Sequence, residues 1–84
     1  MPTLPTIHIN GTSRDALVDA FCDADTALRR ALDALAATGP NARDYYPQGN
    51  EAFGRAVDEH RARLAKLHSV RADVLEIVDA LARV

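Results

Sequence analysis

The sequence predicts an all-α protein, in which two long helices form an antiparallel hairpin preceded by a short extended N-terminal arm. Two stretches carry apolar residues at alternating intervals of four and three, which is typical of one face of a helix. A loop rich in proline, glycine and asparagine separates them. The predicted single domain is divided into an arm (1–12), helix one (13–37), a loop (38–50) and helix two (51–83).

The arm contains Pro2 and Pro5 and the alternating stretch Thr6 to Ile9. Alternation places Ile7 and Ile9 on the same side of an extended strand. We expect Leu4, Ile7 and Ile9 of the arm to help cover the apolar end of helix two.

Helix one is predicted to begin near Ser13, because Thr12 and Asp15 have the spacing that satisfies free amides at a helix start. It should end before Gly39, which can take a left-handed cap, and Pro40, which cannot continue a helix. Its apolar stripe is Leu17, Phe21, Ala24, Leu28, Ala31 and Leu35, widened by Val18, Cys22 and Leu32. Five acids are expected on its solvated face: Asp15, Asp19, Asp23, Asp25 and Asp33.

Helix two should open at Asn50, a favourable capping residue. Its seam reads Phe53, Val57, His60, Leu64, Leu67, Arg71, Val74, Val78 and Leu81. Antiparallel packing around the loop then sets Arg71 near Leu17 and His60 near Leu28.

The longer helix two should extend past helix one by about 12 Å at its C-terminal end. The residues expected in this apolar overhang are Val74, Leu75, Ile77, Val78, Leu81 and Val84. An 84-residue domain buries only a modest core, so solvated apolar residues would be costly. We therefore expect a second copy to pack there, which gives a homo-oligomeric helical bundle.

Composition excludes several classes of protein. The net charge of −2 does not suggest direct DNA binding. No apolar run is long enough to span a bilayer, and the first residues lack the order of a signal peptide, so we expect no membrane association. A lone cysteine, Cys22, indicates a reducing compartment, and we assign the protein to the cytoplasm.

Catalytic and metal-binding patterns are absent from the sequence. No nucleophile stands beside a base at a recognisable spacing, and no glycine-rich phosphate motif occurs. His60 and His68 lie about 12 Å apart along helix two, too far to share one metal ion. We predict no enzyme activity, no catalytic residue, no metal site and no cofactor.

The loop is the strongest candidate for a binding site, because connections between helices usually take 2 to 8 residues and this one is longer. Tyr45 and Tyr46 offer faces for stacking, Arg43 can hold a phosphate, and Gln48 can recognise polar edges. With basic residues of helix two, the predicted ligand-binding set is Arg43, Tyr45, Tyr46, Gln48, His60, Arg61 and Arg71. A structural alternative is that the tyrosines cap the hairpin or lie in a subunit interface.

The polar seam residues have a second interpretation. His60 and Arg71 face a helix seam, where a polar group is costly unless it finds a partner. Single polar seam residues often set the register or the oligomeric state. Both roles, structural and ligand-binding, remain open for this pair.

Three motifs span most of the chain: IHINGTS before helix one, NARDYYPQG in the loop and EHRARLAKLHSV in helix two. In these motifs the chain resembles a group of small helical proteins of bacteriophages and prophages. The resemblance implies a viral accessory protein made in the host bacterial cytoplasm. It supplies no catalytic residues to transfer.

Two functional hypotheses follow. The first is a non-catalytic phage accessory binding protein, an anti-defence factor that sequesters a nucleotide-type host signalling ligand at subunit junctions. The second is a structural or adaptor protein of phage assembly that uses the same surfaces to contact a protein.

Overall fold

Two long helices make up most of the protein, as predicted. The computed structural model describes residues 1–83, which contain helix α1 (Arg14–Ala36), helix α2 (Ala52–Ala82) and two 3-10 turns between them (Ala42–Asp44 and Tyr46–Gln48). This part of the chain contains no β-strand. Neither of its helices combines the length and the apolar character needed to cross a bilayer.

The start of α1 is capped as the sequence predicts. Ser13 has an extended backbone, and its hydroxyl accepts a hydrogen bond from the Ala16 amide at 3.2 Å. Asp15 follows in the first turn, where its negative charge is favourable against the helix dipole. The helix therefore begins within one residue of the predicted position.

The predicted caps at the loop-facing helix ends are wrong. Gly39 does not adopt a left-handed conformation; α1 instead ends with the Thr38 hydroxyl donating to the Leu35 carbonyl at 2.7 Å. At the start of α2 the capping residue is Glu51 rather than Asn50, and its side chain accepts no hydrogen bond from the helix. The loop enters α2 through helix-like backbone at Glu51, so no extended residue is positioned to cap it.

Three contacts define how the helices lie against each other. The guanidinium Nε of Arg14 donates to the Leu81 carbonyl at 2.8 Å, and that of Arg71 donates to the Asp25 carboxylate at 2.7 Å. Near the loop, a Cβ atom built on Gly39 would lie 3.7 Å from the His60 Nε2 atom. The start of α1 contacts the end of α2, and the segment just after α1 lies beside His60 near the start of α2. This order is consistent with an antiparallel hairpin.

The predicted register and the overhang are therefore wrong. Arg71 meets Asp25, which lies eight residues, or about 12 Å, along α1 from the predicted Leu17. His60 packs beside Gly39 rather than at Leu28. The C-terminal end of α2 is level with the start of α1, and α2 projects past α1 at the loop end instead. Val84, also assigned to the overhang, lies outside the described residues.

Asp25 does not belong to a solvated face. Its side chain is 14% exposed and lies between two arginines, with Arg71 Nε at 2.7 Å and Arg29 Nε at 3.4 Å. Cys22, assigned to the apolar stripe, is exposed. The rest of the predicted stripe faces inward apart from Ala31: Leu32 is buried, and the half-buried members are Leu17, Val18, Phe21, Ala24, Leu28 and Leu35.

The arm covers α2 only in part. Ile7 is half-buried, but Ile9 is 97% exposed, contrary to expectation. The Gly11 amide donates to the His8 carbonyl at 3.1 Å, which closes a turn and interrupts the alternation of an extended chain. Met1 and Leu4 line a groove with the last turns of α2.

The interior is very small. Within residues 1–83 the buried apolar residues are Leu32, Ala52, Ala56 and Leu81. Leu81, at 1% exposure, lies where the end of α2 meets the start of α1. The molecule is a rod of 61 × 21 × 18 Å, and its radius of gyration of 18.4 Å exceeds the roughly 12 Å of a compact domain of this length.

Leu81→Ala should lower the free energy of unfolding by about 2 to 5 kcal/mol, because it leaves a cavity in a core of very few residues. Urea denaturation at fixed protein concentration measures the change. Leu75→Ala, on the same helix at a solvent-exposed position, is the matched control and should cost less than about 1 kcal/mol. Equal losses in the two variants would contradict the packing described for Leu81.

Asp25→Asn should cost about 1 kcal/mol, because the hydrogen bond to Arg71 loses its charge in a partly solvated site. The loss should shrink in high salt, which screens the native pair. Asp23→Asn, an exposed acid two residues away, should leave the urea midpoint unchanged. A midpoint that does not move in Asp25→Asn would show that the ion pair contributes nothing to stability.

Candidate functional site

The loop between the helices is built from two consecutive 3-10 turns. The Asn41 side chain accepts a hydrogen bond from the Arg43 amide at 3.3 Å, and the Asn41 carbonyl accepts one from the Asp44 amide at 3.0 Å. In the second turn the backbone amide of Gln48 donates to the Tyr45 carbonyl at 2.9 Å. Local backbone hydrogen bonds thus give the long loop a defined shape.

Gly49 closes the loop in a conformation that requires glycine. Its φ is +110° and its ψ is 169°, a backbone region that side chains with a Cβ avoid. It is the one described residue with a positive φ. This residue directs the chain from the second turn into α2.

The two tyrosines differ in exposure. Tyr45 is half-buried, whereas Tyr46 is 73% exposed and begins the second turn. Arg43 and Gln48 are also exposed. Arg43 forms no ion pair with any residue in the 1–83 range, so its guanidinium is available to an external anion.

The predicted ligand-binding residues do not all come together in one chain. His60 lies against the start of the loop at Gly39, and Arg61 is the exposed residue beside it. Arg71 lies about 16 Å further along α2 and is held by Asp25. One chain therefore presents a loop surface with His60 nearby, while Arg71 lies at the middle of the rod.

A groove at the opposite end was not predicted from the sequence. It encloses about 180 Å³ between the arm and the last turns of α2. Its lining residues are Met1, Leu4, Glu76, Asp79, Ala80 and Arg83. The apolar character of Met1 and Leu4 was the one available signal. The groove is smaller than the 300 to 1,000 Å³ typical of small-molecule sites.

Metal-ligating side chains do not converge in the described structure: no group of three or more histidine, cysteine, aspartate or glutamate residues between positions 1 and 83 could hold an ion. Comparisons with protein-family models, with curated proteins and with solved structures found no match for this chain.

Gly49→Ala should destabilise the protein by about 1 to 3 kcal/mol, because alanine is strained at this φ. Gly54→Ala is the matched control. It lies inside α2 with no atom within 4 Å of the added Cβ, and should stabilise by about 0.5 to 1 kcal/mol. Thermal unfolding followed by circular dichroism measures both. Equal shifts of the two melting temperatures would contradict the positive φ of Gly49.

Proposed function

We propose that the protein is a non-catalytic accessory binding protein of a bacteriophage, acting in the host cytoplasm as an anti-defence factor that sequesters a nucleotide-type signalling ligand. The observation that carries the proposal is the loop, where Tyr46 and Arg43 are exposed on an ordered turn. The phage context rests on the resemblance carried by the IHINGTS and NARDYYPQG motifs.

The chemistry of the loop suits a ligand that combines an aromatic ring with a phosphate. The Tyr46 ring offers a flat face to a base, and stacking of this kind is worth about 1 to 3 kcal/mol per base. Arg43 supplies planar donors that match a phosphate, and the side-chain amide of Gln48 can pair with polar edges of a base. Because hydrogen bonds already order the two turns, binding loses little conformational entropy there.

The binding site is proposed to lie at a junction between copies of the hairpin in a homo-oligomeric bundle. Within one chain, Arg71 is remote from the loop and the groove lies at the other end of the rod. A second copy would supply the other wall of the site, beside the exposed Arg43 and Tyr46. The large exposed surface of the rod supports this self-association.

A second candidate is an adaptor or structural protein of phage assembly. The observation that favours it is the composition of the exposed loop, since tyrosine and arginine dominate the energetic centres of protein interfaces. A convex, preformed turn is suited to insert into a groove on another protein. This function uses the same Tyr46 and Arg43 side chains without a small-molecule ligand.

Titration calorimetry with cyclic dinucleotides and adenine nucleotides tests the leading proposal. We expect saturable binding to at least one of them, weakened about tenfold or more in Tyr46→Ala and in Arg43→Ala, because stacking and phosphate contacts are lost. Arg30→Ala removes an exposed arginine from α1, away from the loop, and should bind as the wild type does.

The two candidates give different results in this experiment. Absence of saturable heat with every nucleotide, from an assembled and folded protein, would contradict sequestration. Binding of a purified virion protein that is lost in Tyr46→Ala would then support the adaptor function. Equal binding by Tyr46→Ala and wild type would show that the Tyr46 side chain takes part in neither ligand sequestration nor the adaptor function.

A further inference from the structure

The rod exposes more surface than its mass requires. Its accessible area is 6202 Å², whereas a compact protein of 9.1 kDa exposes about 4,900 Å². The surplus of about 1,300 Å² exceeds the roughly 800 Å² that each partner contributes to a standard protein interface. A single chain therefore has enough uncovered area to form a stable contact with another.

One side of α2 is left uncovered by the rest of the chain. The seam residues of α2 face α1, and the arm lies along a groove lined by Glu76, Asp79 and Arg83. Away from both, five residues at intervals of three and four share one side of the helix. We call this surface the α2 flank; it consists of Arg63, Lys66, Val70, Asp73 and Ile77.

Val70 lies at the centre of the α2 flank and is 49% exposed, so its side chain is open to a partner. Ile77, two turns further along, is only half-buried. Covering these two side chains with a second copy would remove apolar area from water.

The charges of the α2 flank are arranged about Val70 in a self-complementary way. Lys66 precedes Val70 by four residues and Asp73 follows it by three. Neither forms an ion pair with any other described residue. If two α2 helices cross antiparallel at Val70, the lysine of each lies opposite the aspartate of the other, and the Arg63 stem covers Ile77 of the partner subunit.

We propose that two copies of the chain pack through their α2 flanks, antiparallel about a twofold axis at Val70, with Lys66 opposite Asp73 of the partner subunit. The inference rests on the self-association in the proposed function and specifies the surface that mediates it. A twofold interface uses the same patch on both subunits and must be self-complementary, and the α2 flank meets this requirement. The occupant is therefore a second copy.

Charge reversal tests the pairing directly. In Lys66→Asp, two aspartates face each other at both ends of the interface, and in Asp73→Lys two lysines do so. We expect each variant alone to weaken association about tenfold or more, as measured by sedimentation over a range of concentrations. An equal mixture of the two variants should restore wild-type association, because the mixed pair has opposite charges at both contacts.

Two further variants test whether the loss of association is specific to the α2 flank. Val70→Lys should also dissociate the pair, while Arg30→Asp, a charge reversal on α1, should not. Circular dichroism must show native helicity in each variant. A mixture that fails to restore association, or an assembly unaffected by Val70→Lys, would overturn the α2 flank as the interface while leaving self-association intact. A monomeric wild type at micromolar concentration would overturn both.

Discussion

The ion pair between Arg71 and Asp25 is the contact on which the relative placement of the helices depends. Leucine, valine and alanine make up much of the remaining seam, and a seam of this kind packs almost equally well after a slide of one heptad. A charged donor in the seam is different, since it must find an acceptor at one position. Asp25, held by Arg71 and Arg29, removes that ambiguity.

This register decides what each end of the rod contains. It brings the end of α2 level with the start of α1, where Arg14 donates to the Leu81 carbonyl and Leu81 is buried. It also lets the first turns of α2 project past α1, where Ala52 and Ala56 are buried beneath the loop region. The exposed Val70 lies between these ends on α2, and the aromatic loop stands at the end where α2 projects.

The two helices and the loop were predictable from periodicity, prolines and glycines, and their observed bounds lie within a residue or two of those expected. The register was not, because a repeating seam fits several alignments and Asp25 looked like one of five solvated acids. The turn that exposes Ile9 was missed, although Asn10-Gly11 is a turn signal. For the candidate site, residue types identified the loop, but the difference between Tyr45 and Tyr46 depends on hydrogen bonds in the 3-10 turns.

The groove between the arm and α2 has a practical consequence. Met1 and Arg83 both line it, so the two ends of the described chain emerge at one pole of a 61 Å rod, and the tyrosine-bearing turn occupies the other. Polypeptide fused to either terminus would therefore leave the molecule on the far side from that turn. An immobilisation tag at either end would tether the protein to a sensor surface with its aromatic tip directed outward into solution.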